Sequence, residues 1–301
     1  MKKIILSIIF AVLIILFSGK VYANTGPIGW EGSRGTEPRP LEDCPIEVEK
    51  ERLEFKLESR IESYTIRSRV KAVYSLHNPT DSDYTLTAVF PVITGFGDGQ
   101  DPLFQKIRLN GEEIPYKAWL VDENRDNNSE EILNSMTLEE MLKRRKPFTP
   151  QDTYFEHRPY PVLMLEFDVE IPPGKTYKLE ITTRTTAFME RDTMFTYGTK
   201  QARYTFHYYL SPAKYWADFK DLDIVIKTSS AAPVLMESNL DFHWAGWRRY
   251  RFHSDTLPEG ELTFVAEKTF WYTPVRWAFF IALIIGVFVL WDKWDKKKYG
   301  K

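Results

Sequence analysis

Asp122, Asn124 and Asp126 place oxygen ligands at alternate positions of the run Asp122-Glu123-Asn124-Arg125-Asp126-Asn127-Asn128, as the start of a calcium loop does. The match stops there. The sixth position is Asn127, where the loop needs Gly, and the twelfth is Leu133, where it needs a bidentate Glu. A solvated acidic loop is the plainer reading. Asp98 and Asp101, in and just after Gly95-Phe96-Gly97-Asp98-Gly99, repeat the case, with a flexible loop as the simpler account. The histidines are His77, His157, His207, His243 and His253, and no two have the HExxH or i,i+4 spacing of a zinc site. His207 and His243 fall on or near predicted strands, so a metal would need distant parts of the chain to converge. There is no G-x-S-x-G elbow. The Gly-rich stretches do not link a strand to a helix as a dinucleotide site requires. The single cysteine, Cys44, has no His nearby; it is read as buried, with pairing between chains as the alternative. These patterns lead us to expect no catalytic residue, no metal and no cofactor.

Aromatic residues are more informative. They crowd the stretch from Tyr204 to Phe252. Tyr204, Phe206 and Tyr208 recur with period two and suit a core. Trp244 and Trp247 flank Gly246 in a predicted turn, with Arg248 and Arg249 beside them. Indole faces and guanidinium groups at a turn suit sugar stacking or a protein partner. Trp244, Trp247, Arg248 and Arg249 are therefore the candidate binding residues.

The elements that must carry them are strands. Leu53, Phe55 and Leu57 alternate with Glu54, Lys56 and Glu58. Tyr64, Ile66, Ser68, Val70, Ala72, Tyr74 and Leu76 face one way, while Arg67, Arg69 and Lys71 face the other. Such period-two patterns are those of strands with one dry and one wet face. Asn78-Pro79-Thr80-Asp81 has turn chemistry, and Tyr84, Leu86, Ala88 and Phe90 follow, which predicts a long hairpin. A second hairpin is expected around Asn110-Gly111, with Phe104, Ile107 and Leu109 before it and Ile114, Tyr116, Ala118 and Leu120 after it. A third joins Leu163–Ile171 to Tyr177–Ile181 through Pro172-Pro173-Gly174. Further strands lie near Leu222–Ile226, Trp247–Phe252 and Leu262–Ala266. Ten or eleven strands at short intervals predict an all-β fold, an antiparallel β-sandwich.

The 122–160 stretch breaks this rhythm as a small helical insertion. Thr137-Leu138-Glu139-Glu140 matches a capping box, and one or two short helices are expected within Ser129–Arg145.

The chain ends set the topology. Lys2 and Lys3, an apolar run from Ile4 to Gly19, and Val21-Tyr22-Ala23 have the build of a secretory signal peptide over 1–23. Lys20 leaves an uncleaved anchor as the alternative. Trp277 to Trp291 carries no charge. The 270–291 stretch is long enough to cross about 30 Å of hydrocarbon as a helix. Trp271, Tyr272 and Trp277 mark one edge, and Trp291 and Trp294 the other, as in an aromatic belt. Lys293, Lys296, Lys297, Lys298 and Lys301 make 292–301 a basic cytoplasmic tail by the positive-inside bias. Leu257-Pro258-Glu259-Gly260-Glu261 lacks the Thr of a cell-wall sorting signal and reads as a turn. The whole chain has 40 Lys+Arg against 42 Asp+Glu. Removing the 3 bases of 1–23, and the 6 bases and 2 acids of 274–301, leaves 31 bases against 40 acids, a net of −9 for the exported part. That balance gives no reason to expect nucleic acid as a partner.

The run from Glu51 to Pro91, with IRLNGEEI, IPPGKTYKLEI and YTFHYYLSPAKYWADFKDLDIVIK, resembles a family of uncharacterised bacterial exported, membrane-anchored β-sandwich proteins. Here the family's Val-x-Ala-x-Tyr stands as Val70-Lys71-Ala72-Val73-Tyr74. The resemblance implies a fold and an envelope location, and carries no catalytic residue across.

The expected architecture is a 24–44 linker or irregular edge segment, a sandwich over 45–195 with the insertion, a second β-rich region over 196–268, and a C-terminal transmembrane helix. One large sandwich or two stacked ones both satisfy the pattern. The expected location is the cell membrane, single-pass, with the bulk extracytoplasmic and the C-terminus cytoplasmic. The expected role is a non-enzymatic interaction or envelope-structural module with a protein partner. An extracellular ligand- or carbohydrate-binding sensor is the first alternative, and a hydrolase built from distant acids the second.

Overall fold

A computed structural model describes residues 25–31, 37–41, 43–62, 65–93, 105–121, 136–148, 162–189, 202–267, 278, 281–286 and 289. The strands β1 (Gly26–Glu31), β2 (Glu37–Pro40), β3 (Glu47–Glu62), β4 (Thr65–His77), β5 (Tyr84–Ile93), β6 (Lys106–Leu109), β7 (Glu112–Glu113) and β8 (Lys117–Val121) precede one helix, α1 (Leu138–Lys143). There follow β9 (Arg145–Pro147), β10 (Val162–Ile171), β11 (Thr176–Thr186), β12 (Phe188–Met189) and β13 (Arg203–Tyr208). A 3-10 turn (Ser211–Tyr215) leads into β14 (Asp218–Phe219), β15 (Leu222–Lys227), β16 (Val234–Ser238), β17 (His243–Trp244), β18 (Arg249–Ser254) and β19 (Leu262–Glu267). The described residues are mostly β-strand with little helix, consistent with the all-β class that their periodicity predicts.

Three sheets result. Sheet A runs β2-β1-β5-β10-β8-β9, sheet B runs β17-β18-β15-β3-β4-β11-β6-β7, and sheet C runs β12-β13-β19-β16. Pairing is antiparallel except where β14 and β15 add to β3 in parallel, a departure from the antiparallel expectation. Because β15 joins β3, sheet B takes strands from both sides of residue 195. Within the 24–44 segment, β1 and β2 form the edge of sheet A beside β5, and Ile28 is buried there.

Two expected hairpins are corners instead. β4 belongs to sheet B and β5 to sheet A, so the Asn78–Asp83 turn carries the chain between sheets. Pro172-Pro173-Gly174 does the same in reverse, from β10 to β11. β5 pairs with β10 and β4 with β11, which sets the two corners side by side. Asn78 fastens them. Its N–H donates to the Lys175 carbonyl at 3.0 Å, and its own carbonyl accepts from the Gly174 N–H at 2.9 Å. Its side-chain Nδ2 donates to the carbonyls of Ile171 (2.8 Å) and Ser82 (2.9 Å). Its Oδ1 accepts from the Thr80 N–H (3.0 Å) and hydroxyl (2.7 Å). A fully buried amide is thus satisfied on both sides. The Asn110-Gly111 turn forms, both residues with positive φ, but β6 pairs across it only with the two-residue β7; the expected second arm, Ile114 to Leu120, leaves for sheet A, where β8 pairs with β10.

Rings from all three sheets meet in one core. Phe55 of sheet B lies edge-on to Tyr208 (5.4 Å between centroids) and Phe264 (5.2 Å) of sheet C, and Phe90 of sheet A lies 6.0 Å from Tyr208. Tyr204, Phe206 and Tyr208 are buried, as their spacing predicts.

The insertion is held at its described end. Thr137 Oγ1 accepts from the Glu140 N–H at 3.2 Å, and the Glu140 carboxylate accepts from the Thr137 N–H at 2.9 Å, completing the expected capping box. Met136, Leu138, Met141 and Leu142 are buried. Just beyond the helix, Arg145 Nη1 meets Glu166 Oε2 of β10 at 2.5 Å, and its guanidinium sits 4.2 Å from the Trp119 ring. Both members of this ion pair are nearly inaccessible to solvent.

Residues 1–23, 292–301 and most of 270–291 lie outside the described residues. Residues 281–286 are helical, and Ile281, Leu283, Ile284 and Ile285 are each more than half exposed. No helix among the described residues is long and apolar enough to cross a membrane.

Candidate binding surface

Trp244 ends β17 and pairs with Tyr250 of β18, and Ala245–Arg248 turn between them. The Ala245 N–H donates to the Arg249 carbonyl (2.8 Å) and the Arg249 N–H to the Gly246 carbonyl (3.1 Å). Gly246 has φ +122°, which only glycine adopts without strain, and Arg248 is itself left-handed at +53°. The Arg248 carbonyl accepts from the Thr228 N–H at 3.0 Å, tying the turn to the chain after β15. The turn is thereby fixed at the edge of sheet B. It leaves Trp244 and Trp247 69% and 78% exposed, the highest among the large apolar residues described. The Arg248 guanidinium lies 5.5 Å from the Trp247 ring, and Arg249 is exposed. The four residues singled out from sequence thus share one hairpin, Trp247 and Arg248 in its turn and Trp244 and Arg249 at the adjoining strand ends, where the register Trp244↔Tyr250 sets Trp244 and Arg249 on opposite faces. Exposed indoles on a fixed turn present flat apolar surface with donors around it, which suits a ring or a protein side chain.

The other candidates are dispersed. His207 is buried in sheet C with Nδ1 3.1 Å from the Thr263 hydroxyl, while His243 is exposed in sheet B. Among the described residues no group of three or more His, Cys, Asp or Glu could hold a metal. Asp98, Asp101 and the 122–128 run lie outside the described residues. Cys44 is buried, and burial pushes its thiol up to about 11, outweighing the lowering by a backbone hydrogen bond from Ile46. Such a thiol is a poor nucleophile at neutral pH.

One polar cluster escaped the sequence reading. Glu51 shares the inward parity of Leu53 and Phe55, is fully buried and pairs across the ladder with Tyr74. Tyr74 is hydrogen-bonded to Tyr208, and nearby Glu261 accepts from the Leu210 N–H at 2.7 Å. Burial first, and then the Glu51 carboxylate, hold both phenols well above the usual tyrosine range. A phenol raised in the folded state contributes stability that is complete below its unfolded pKa, about 10, and is lost as pH climbs beyond it. Melting temperature is therefore expected to fall above about pH 10. Tyr74→Phe with Tyr208→Phe should flatten that alkaline limb in scanning calorimetry, and an unchanged limb would contradict the assignment.

The chain matches no protein-family model and no curated protein. Among solved structures it is similar to a Legionella pneumophila protein named for nutrient binding. The TM-score is 0.47 and the identity 11%, over 81% of this chain and 72% of that one. It is similar also to yeast LTA4 hydrolase (TM-score 0.35, identity 14%, 74% of this chain and 29% of that one). A third is an M1 zinc metallopeptidase of Deinococcus radiodurans (TM-score 0.27, identity 10%, 76% of this chain and 40% of that one). The chain spans well under half the length of those two enzymes, and none of the three likenesses assigns a site.

Proposed function

We propose that the protein is an exported binding module, tethered to a membrane by the 270–291 helix and acting without catalysis. It presents Trp244, Trp247, Arg248 and Arg249 to a partner in the cell envelope. The observation that carries this reading is the pair of indoles exposed on a turn that glycine geometry and backbone hydrogen bonds hold in place. A soluble protein gains nothing in folding by exposing two tryptophans three residues apart. The tether is supported by the outward apolar side chains of helical residues 281–286 and by the sequence around them. The same indoles favour a second reading, a carbohydrate-binding sensor, in which the rings stack on sugar faces.

A photoreactive amino acid placed at position 247 tests the proposal in living cells. We expect one dominant adduct from position 247, abolished by Trp244→Ala, and none from a probe at exposed Glu113 in β7. Indistinguishable adduct patterns from the two positions would contradict it.

A further inference from the structure

On the outer face of sheet B one transverse row carries only cations. Arg249 of β18 faces Lys227 of β15, which faces Lys56 of β3. Lys56 faces Arg69 of β4, which faces Arg184 of β11. The row points outward because its chain neighbours Phe55, Ser68, Val70, Thr183 and Ile226 are buried. With strands about 4.8 Å apart, five cations span about 19 Å in a straight line. Like charges directly opposed across a ladder destabilise it. The next two rows show how this face is arranged otherwise. One reads Arg251, Val225, Glu54, Lys71, Thr182 and the other His253, Asp223, Arg52, Val73, Glu180. Both mix signs, and close pairs bridge the two, Arg251–Asp223 at 2.6 Å and Lys71–Glu180 at 2.9 Å. The cationic row draws its acids from off the row, Glu54 for Lys227 (2.7 Å) and Glu58 for Arg184 (3.2 Å). Among the described residues, Lys56 and Arg249 make no ion pair. At its β18 end the row reaches Ala245, whose N–H donates to the Arg249 carbonyl, in the turn that also carries Arg248 and the exposed indole of Trp247.

We infer that a linear acidic polysaccharide lies across sheet B, perpendicular to the strands, with its carboxylates along Arg249, Lys227, Lys56, Arg69 and Arg184 and a sugar face against Trp247. A single file of cations at strand spacing fits a polymer that repeats one carboxylate per sugar, and guanidinium groups grip carboxylates in pairs of hydrogen bonds. A membrane surface is two-dimensional and would meet the acids of the neighbouring rows as well. A single-stranded nucleic acid also uses cations and stacking, but it would run past the row's only aromatic end after one or two bases. The inference deepens the proposed binding role and depends on it only for the Trp247 end of the track.

The test uses the full-length protein in detergent and isothermal titration with polygalacturonate, at low and raised salt. The wild type should bind, with affinity falling as salt rises. Lys56→Gln with Arg249→Gln should weaken binding by about tenfold or more, while the melting temperature holds or rises, since repulsion is relieved. Lys106→Gln, on the same face but off the row, should leave binding unchanged. Absence of binding to the wild type overturns the inference, as does equal binding by the double variant. Tighter binding of poly-dT or of phosphatidylglycerol vesicles than of polygalacturonate overturns it too. The double variant reads the row alone and the photocrosslink at 247 reads the turn alone, so the two failures can be told apart.

Discussion

Glu166→Ala should cost about 3–5 kcal/mol of stability, because it strands a charge inside the protein. Arg145 and Glu166 have side chains only 8% and 6% exposed. Removing the carboxylate takes away the anion 2.5 Å from a buried guanidinium. Lys117, 3.7 Å from Glu166 Oε1, is exposed and can turn to water. The loss falls where the chain leaves α1 and joins sheet A, so the described part of the insertion should loosen with it. Chemical denaturation measures the stability, and hydrogen exchange at Arg145–Pro147 locates the change. Glu166→Gln, which retains an acceptor, should lose less. A loss below about 1 kcal/mol for Glu166→Ala would place the pair among weak surface ion pairs.

Asn78→Ala should be nearly as damaging, at about 2–4 kcal/mol. It removes four side-chain hydrogen bonds and leaves the buried Ile171 carbonyl without the amide that satisfies it. It also uncouples the two corners that join sheets A and B. Asn78→Asp should be comparably costly, because a carboxylate cannot donate to either carbonyl and would be buried. Thermal and urea denaturation of both variants would check this. Wild-type stability in Asn78→Ala would mean that the backbone bonds to Gly174 and Lys175 hold the corner alone.

That asparagine also marks where the sequence stops being legible. Alternation found β3, β4, β5, β10, β11 and β13, because period two is imposed by the pleat itself, and it gave the buried faces of β3, β4 and β11; β5, β10 and β13 are covered on both faces over most of their length, which their alternation did not show. Turn residues showed where the chain reverses. A corner between sheets and a hairpin within one share that local chemistry, so Asn78 and Pro172-Pro173-Gly174 were read as hairpins. Partner choice is non-local. Nothing in Leu222–Lys227 shows that β15 will lie parallel to β3, 171 residues earlier by the register Leu222↔Glu51. The inward parity of Glu51 was visible, but a carboxylate in a core is disfavoured until its surroundings are known. The turn carrying Trp244 and Trp247 was legible because Gly246 and the spacing act locally. The cationic row was not, since its five members come from five strands, and only the register aligns them.

The proposed role rests on the proposed orientation of the chain across a membrane, which cysteine labelling reads most directly. Cys44 is buried and serves as the silent background. Trp247→Cys and Lys298→Cys would each be expressed in cells whose outer layers are permeabilised and whose cytoplasmic membrane is intact, then exposed to a membrane-impermeant maleimide. Position 247 is expected to label at once, and position 298 only after the membrane is lysed. Protection of position 247 until lysis would contradict an exported, membrane-tethered binding module.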